Sequence, residues 1–115
     1  MDQEESLLIN VKEFIKEAKN LESNKSYNSA VTLYFKALAV LTDLLILKKE
    51  GFIPSNHTTR FKILKEKYLS IYRIFDKDFP IYQDSYRIHM TERHTKIIRE
   101  DINEIAKLTG IKIDN

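Results

Sequence analysis

Apolar residues recur every three or four positions along most of this chain, which is the spacing of one face of an α-helix. The first such stripe consists of Leu7, Leu8, Val11, Phe14, Ile15, Ala18 and Leu21. Charged side chains occupy the opposite side, so the pattern predicts an amphipathic helix that buries one face. The polar residues 23–26 end this helix, and Ser26 is a favourable N-cap for the next one.

A second helix is predicted over about Tyr27–Glu50, and it lacks a polar face. Residues 37–47 are apolar on almost every side. A helix of this kind is usually buried on several sides, so it is either the central helix of a bundle or the seam of a dimer. Lys48 and Lys49 suit its negative C-terminal end, and Gly51 is expected to terminate it.

A third helix is predicted to begin after Ser55 or Asn56, either of which can cap it. Its buried stripe consists of Phe61, Leu64, Tyr68, Ile71 and Phe75. Residues 76–80 are expected to stop it, because Pro80 disfavours helical geometry at Phe79. A short helix is then predicted from about Ile81.

The last inner stripe consists of Ile98, Ile102, Ile105 and Thr109, and Gly110 ends it. The pattern leaves open whether Thr91 caps a separate last helix or whether the chain runs on unbroken from the short helix. Four long helices plus a short fifth, joined by short loops, indicate an all-α, antiparallel up-and-down bundle. We therefore predict one domain over residues 1–110 and a C-terminal tail over residues 111–115.

The composition narrows the class of protein. A chain of 115 residues is long enough for one hydrophobic core, and two glycines and two prolines provide few turns for a sheet. The chain has no cysteine, which excludes disulfides and thiolate metal sites and favours a cytoplasmic location. The three histidines do not have the spacing of a metal-binding set, so neither metal nor cofactor is expected.

The net charge and the hydropathy of the chain do not identify a partner. The net charge of +2 neither demands nor excludes a phosphate-bearing ligand. Residues 1–6 are acidic, unlike the basic start of a signal peptide. The most apolar run is shorter than the ~20 residues that span a bilayer, so no membrane association is predicted.

Two segments resemble the HEPN family of helical proteins. Residues 29–38, together with Leu44 and Leu45, look like the second helix of HEPN domains. Residues 51–57, GFIPSNH, are similar to the glycine–proline–histidine connection that leads into the third helix of that family. The resemblance implies an up-and-down bundle that commonly dimerises. It also implies, for many members, a metal-independent ribonuclease activity, often as a toxin paired with a nucleotidyltransferase antitoxin.

The HEPN resemblance also implies a pair of catalytic residues. The signature of the family is an arginine, four to six further residues and a histidine, which Arg87 and His94 match at the longest spacing. In this role Arg87 binds the phosphate oxygens and His94 transfers a proton. On a continuous helix the two residues lie two turns apart on one face. A helix break at Thr91 removes that shared face.

Further residues are candidates for binding RNA or a nucleotide. Arg93 and Lys96 add positive charge near the Arg87–His94 pair, and Tyr86 can stack on an exposed base. His57 and Arg60 are candidates for lining a nucleotide-binding cleft, although a histidine at a helix start is more often a capping or packing residue.

Two other functions compete with a dimeric ribonuclease. The chain can be a non-catalytic HEPN module that binds a nucleotide or a nucleotidyltransferase partner. It can also be a helical-hairpin adaptor that binds peptides, because residues 27–41 look like one helix of a tetratricopeptide or microtubule-interacting hairpin. No second repeat follows, so the adaptor is the least favoured of the three functions. Whether the chain is an enzyme stays open. Apart from the Arg87–His94 pair, the sequence has no catalytic motif such as a glycine-rich phosphate loop.

Overall fold

The computed structural model describes residues 1–114, which form five α-helices and no strand. The helices are α1 (Gln3–Ser23), α2 (Tyr27–Glu50), α3 (His57–Lys67), α4 (Leu69–Asp84) and α5 (Glu92–Thr109). The predicted all-α class is therefore confirmed, and the bounds predicted for α2 match those observed.

Helix α2 is the central helix. More than half of its 24 residues are buried, and α1, α4 and α5 all pack against it. By length and composition alone α2 is apolar enough to cross a membrane, but 72% of its most apolar window is buried among the other helices. Of the two predicted explanations for its apolar surface, the central helix is the one observed.

Local capping signals set most of the helix ends. The Asp2 carboxylate accepts from the Glu5 amide at 2.8 Å and begins α1. Gly51 ends α2 in the left-handed region at φ 88°, which glycine adopts without steric cost. The Asn56 side chain accepts from the Thr59 amide at 2.8 Å and begins α3. The predicted caps at Gly51 and Asn56 are confirmed, and Ser26 occupies the N-cap of α2 without a side-chain hydrogen bond.

The predicted third helix is in fact two helices. The backbone breaks at Tyr68, which has φ −135° and ψ 61° and serves as the last cap of α3 and the first of α4. The Tyr68 hydroxyl donates to the Glu50 carboxylate at 2.6 Å, which ties this break to the end of α2. The short helix therefore comes third in the chain, ahead of a long α4.

The predicted stop at residues 76–80 is wrong, because α4 continues through Pro80 to Asp84. Proline lacks the amide hydrogen that would bond to the Asp76 carbonyl. Both residues are exposed, so water can satisfy that carbonyl. On the inner face, Phe79 and Tyr82 lie 5.8 and 4.5 Å from the Phe35 ring, centroid to centroid. This aromatic packing offsets the lost hydrogen bond.

The chain beyond α5 packs against the bundle. Gly110 ends α5 in the left-handed region, as predicted, and Ile111 and Ile113 are partly buried against the core. Lys112 and Asp114 point outward. Within the predicted tail, Asn115 lies outside the described residues.

A buried carboxyl group lies between α4 and α5. Asp78 is fully buried, and neither of its oxygens has a hydrogen-bond partner within residues 1–114. Lys77 Nζ lies 3.5 Å from Asp78 Oδ1 and 2.6 Å from Asp101 Oδ2. Burial, reinforced by the neighbouring Asp101 carboxylate, raises the pKa of Asp78 to about 8. At pH 7 the group is therefore mainly protonated.

Asp78→Asn should flatten the pH dependence of stability. The folded chain holds a proton on Asp78 that the unfolded chain, with a pKa near 4, releases, so the free energy of unfolding falls as pH rises from about 4 to about 8. We expect this loss to exceed about 1.4 kcal/mol, the equivalent of one pKa unit. Urea unfolding of both proteins at about pH 5 and about pH 8 measures it. The matched control is Asp76→Asn, an exposed carboxylate on the same helix; parallel curves for wild type and Asp78→Asn would contradict the assignment.

Candidate functional site

A cavity of about 560 Å³ opens beside the end of α4, the α4–α5 connection and the start of α3. Its volume falls in the range of small-molecule sites, about 300–1,000 Å³. The lining consists of His57, Phe79, Tyr82, Gln83, Asp84, Tyr86 and Arg87. We call this the α4–α5 pocket. It combines aromatic surface with five kinds of polar group, namely an imidazole, a guanidinium, hydroxyls, an amide and a carboxylate.

His57 is held in the pocket by a buried ion pair. Arg60 Nε and Nη2 donate to the two carboxylate oxygens of Asp43 at 2.7 and 2.8 Å. Arg60 Nη1 lies 2.7 Å from His57 Nδ1. Because arginine can only donate, this nitrogen must accept, and the imidazole proton must sit on Nε2. The bonding pattern thus assigns the tautomer and leaves Nε2–H as a donor.

The charge state of His57 follows from the same contacts. Partial burial of the ring, together with the positive charge of Arg60, lowers the pKa of His57 below 6.5. His57 is therefore neutral at pH 7. Arg60 itself is only 9% exposed and does not line the pocket. Of these two predicted site residues, His57 lines the α4–α5 pocket, and Arg60 lies behind it and positions it.

Stacked aromatic rings form one wall of the pocket. Tyr82 stacks on Phe35 at 4.5 Å between centroids, and Tyr86 packs edge-on against Tyr82 at 5.6 Å. The two tyrosine hydroxyls lie 2.9 Å apart, and this hydrogen bond raises the pKa of Tyr82. Tyr86 is 72% exposed, so much of its ring surface is open to solvent. An incoming planar ring can stack there.

Arg87 supplies the positive charge. It lies in the turn between α4 and α5 and is exposed. Within the part of the chain that the structure describes, no carboxylate lies within ion-pairing distance of its guanidinium. Asp84 is the one carboxylate lining this pocket. Arg87 is thus available to bind an anion.

Asn28 fastens the turn that carries Tyr86 and Arg87. Its Nδ2 donates to the Ser85 and Ile88 carbonyls, both at 2.8 Å, and its Oδ1 accepts from the Met90 amide at 2.9 Å. One side chain at the start of α2 therefore satisfies three backbone groups about 60 positions further along the chain. The role of Asn28 is not evident from the sequence, because a single asparagine belongs to no motif that indicates partners so distant in the chain.

The two residues predicted to be catalytic lie in different elements. Arg87 is in the α4–α5 turn, whereas His94 is the third residue of α5. Thr91 begins α5, and its amide donates to His94 Nδ1 at 3.0 Å, which completes a capping box. Of the alternatives left open by the sequence, the separate last helix is the one observed, so the shared helix face does not exist. His94 does not line the pocket, and its catalytic role stays a prediction.

The remaining candidates also lie outside the pocket. Arg93 and Lys96 are exposed in the first turns of α5, and Lys96 Nζ is 4.0 Å from the Glu100 carboxylate. The structure therefore brings together three of the predicted residues, His57, Tyr86 and Arg87, and leaves Arg93, Lys96 and His94 on α5. Across residues 1–114, no three histidine or acidic side chains cluster as metal ligands would.

Comparison of the chain with protein-family models, with curated proteins and with solved structures gives no match. The resemblance to the HEPN family therefore stays a prediction that depends on the residues quoted above.

Proposed function

We propose that this chain is a nucleotide-binding helical module of the non-catalytic HEPN-like type. The observation that carries the proposal is the convergence of three groups on the α4–α5 pocket. These are the unpaired guanidinium of Arg87, the exposed ring of Tyr86 and the fixed Nε2–H donor of His57. A nucleotide presents a matching set, namely a phosphate, a planar base and hydrogen-bond acceptors.

Each pocket residue has a separate role in this proposal. Arg87 binds the phosphate through paired hydrogen bonds, and Tyr86 stacks on the base. His57 donates from Nε2 to an acceptor on the base or the phosphate. Asp84 accepts from a sugar hydroxyl. Because the pocket has one cation and one carboxylate, it suits a ligand with a single phosphate better than one with three.

Several predicted properties belong to the same proposal. These are the antiparallel up-and-down arrangement of the helices, the homodimer, the cytoplasmic location and a nucleotidyltransferase partner. Metal-independent ribonuclease activity through Arg87 and His94 is the competing function. It requires the two side chains to meet at one phosphate although a turn separates their elements, and a second copy of the chain is then needed to complete the site.

Arg87→Ala should weaken binding of adenosine monophosphate at least about tenfold, since a hydrogen-bonded charge pair contributes about 1.5–3 kcal/mol. Isothermal titration calorimetry measures the effect, and adenosine without phosphate serves as the ligand control. Arg73→Ala is the matched control variant, because Arg73 is exposed on α4 and does not line the pocket. It should bind like the wild type.

Two results would overturn the proposal. The first is the absence of binding of any nucleoside monophosphate up to about 1 mM. The second is cleavage of RNA in the presence of a chelator that is lost in His94→Ala while the helical content is unchanged. That outcome would replace the binding module by the ribonuclease.

A further inference from the structure

A separate cavity of about 550 Å³ lies between α1 and α5 and has no residue in common with the α4–α5 pocket. Both helices pack on α2 but make little contact with each other, so a groove remains between them. Ile15 of α1 contributes accessible apolar surface to this groove, whereas Ile102 of α5 and Tyr34 of α2 are buried in its floor. We call it the α1–α5 groove.

One wall of the groove carries uncompensated positive charge. Lys12, Lys16 and Lys19 line it at the four- and three-residue steps that share one helix face. None of these three lysines forms an ion pair with any residue that the structure describes. Like charges four residues apart repel each other on a helix. An anionic partner along this wall would relieve that repulsion.

The other charged side chains that line the groove add little unpaired charge. Arg99 lies on the opposite wall, but its guanidinium is paired with the Glu22 carboxylate of α1. Among the described residues, Asp114 is the one carboxylate in the lining of the groove, compared with three lysines. A carboxylate-bearing segment would therefore find more unpaired cations here than the chain itself neutralises.

The last described residues of the chain already pack at the border of the α1–α5 groove. Ile113 packs against the core at the border of the groove, while its neighbours Lys112 and Asp114 are exposed. An aliphatic side chain next to a carboxylate is thus already accommodated at one edge. The remaining volume is large enough for further apolar side chains.

From this combination we infer that the α1–α5 groove is a docking site for an acidic amphipathic helix of a partner protein. Its aliphatic side chains rest on Ile15, and its carboxylates pair with Lys12, Lys16 and Lys19. A nucleic acid fits less well, because single-stranded bases need open aromatic faces. The aromatic ring in the floor, Tyr34, is fully buried, and its hydroxyl donates to Glu22 at 2.7 Å.

The probe is a fluorescein-labelled peptide of about 14 residues with leucine at positions i, i+3, i+4 and i+7 and glutamate elsewhere. Fluorescence anisotropy with the full chain should show saturable binding. Lys16→Glu with Lys19→Glu should weaken it at least about tenfold, and raising the salt from about 0.05 to about 0.3 M should weaken it as well. The matched control is Lys62→Glu with Lys65→Glu, which makes the same change in net charge at the same spacing on α3. It should bind within about twofold of the wild type.

A third variant separates a helical partner from a simple polyanion. Ile15→Ser removes apolar surface from the groove and should weaken the peptide several-fold, whereas a polyanion held only by charge is unaffected. Circular dichroism confirms that each variant retains its helices. The inference is overturned if the wild type does not bind the peptide up to about 1 mM, or if a glutamate-to-lysine version binds equally well. It is also overturned if a single-stranded oligonucleotide binds more tightly and loses affinity in Lys16→Glu with Lys19→Glu.

Discussion

Arg60→Ala is expected to lower the free energy of unfolding by about 3–5 kcal/mol, because it leaves a buried carboxylate without its partner. Asp43 is 7% exposed and accepts both of its ion-pair hydrogen bonds from Arg60. Removal of the guanidinium also frees His57 Nδ1 and so loosens one wall of the α4–α5 pocket. Urea unfolding monitored by circular dichroism gives the change in stability.

The control for Arg60→Ala is a variant that removes both charges. Asp43→Leu combined with Arg60→Met fills similar volume without a buried charge and should recover most of the lost stability. Nucleotide binding should not recover in this variant, since His57 has no arginine to orient it. A loss below about 1 kcal/mol in Arg60→Ala would contradict the proposed burial of the pair.

Phe75→Ala is expected to lower the free energy of unfolding by about 3–5 kcal/mol as well, through the cavity that it opens. Phe75 is fully buried where α4 meets α2 and α3. Its ring lies edge-on to Phe35 and Phe61, with centroids 5.1 and 5.0 Å away, and Arg60 Cζ is 5.7 Å from its centroid. The substitution therefore removes the contacts by which this ring of α4 joins α2 and α3.

Two further substitutions serve as comparisons for the loss of stability in Phe75→Ala. Phe75→Leu retains most of the volume and should cost less than about half as much. Phe52→Ala removes an exposed ring that is 46% accessible and should change stability by no more than about 0.5 kcal/mol. If Phe75→Ala and Phe52→Ala had equal effects, the aromatic cluster would not be the core that joins α2, α3 and α4.

The helices could be predicted where the signals are local. Periodicity identified α1 and α5, and a long, almost wholly apolar run identified α2. Gly51 and Asn56 marked helix ends because capping involves residues within one turn. The predictions failed where packing between distant segments outweighs local preference. At Pro80 the helix continues because neighbouring aromatic rings pack on α2, and at Tyr68 it breaks where the hydroxyl reaches Glu50.

The candidate site was harder to predict for the same reason. His57, Tyr86 and Arg87 were each identified from residue type and the HEPN resemblance, but no sequence rule indicated that they line one pocket. The ion pair that positions His57 joins Asp43 to Arg60, 17 positions further along the chain, and no local pattern indicates such a partner. The capping box at the start of α5 uses a histidine where glutamate or glutamine is usual, so the sequence left open whether a separate helix begins at Thr91.

The three hydrogen bonds of Asn28 have a consequence for how tightly the pocket can hold a small molecule. A loop that becomes ordered only when a ligand arrives loses conformational entropy at that step, which lowers affinity. Here hydrogen bonds from Asn28, which does not line the pocket, already hold the backbone around Tyr86 and Arg87 in the folded chain. For a ligand of the α4–α5 pocket, less of the free energy of its contacts would then be spent on ordering the backbone, and more would appear as affinity.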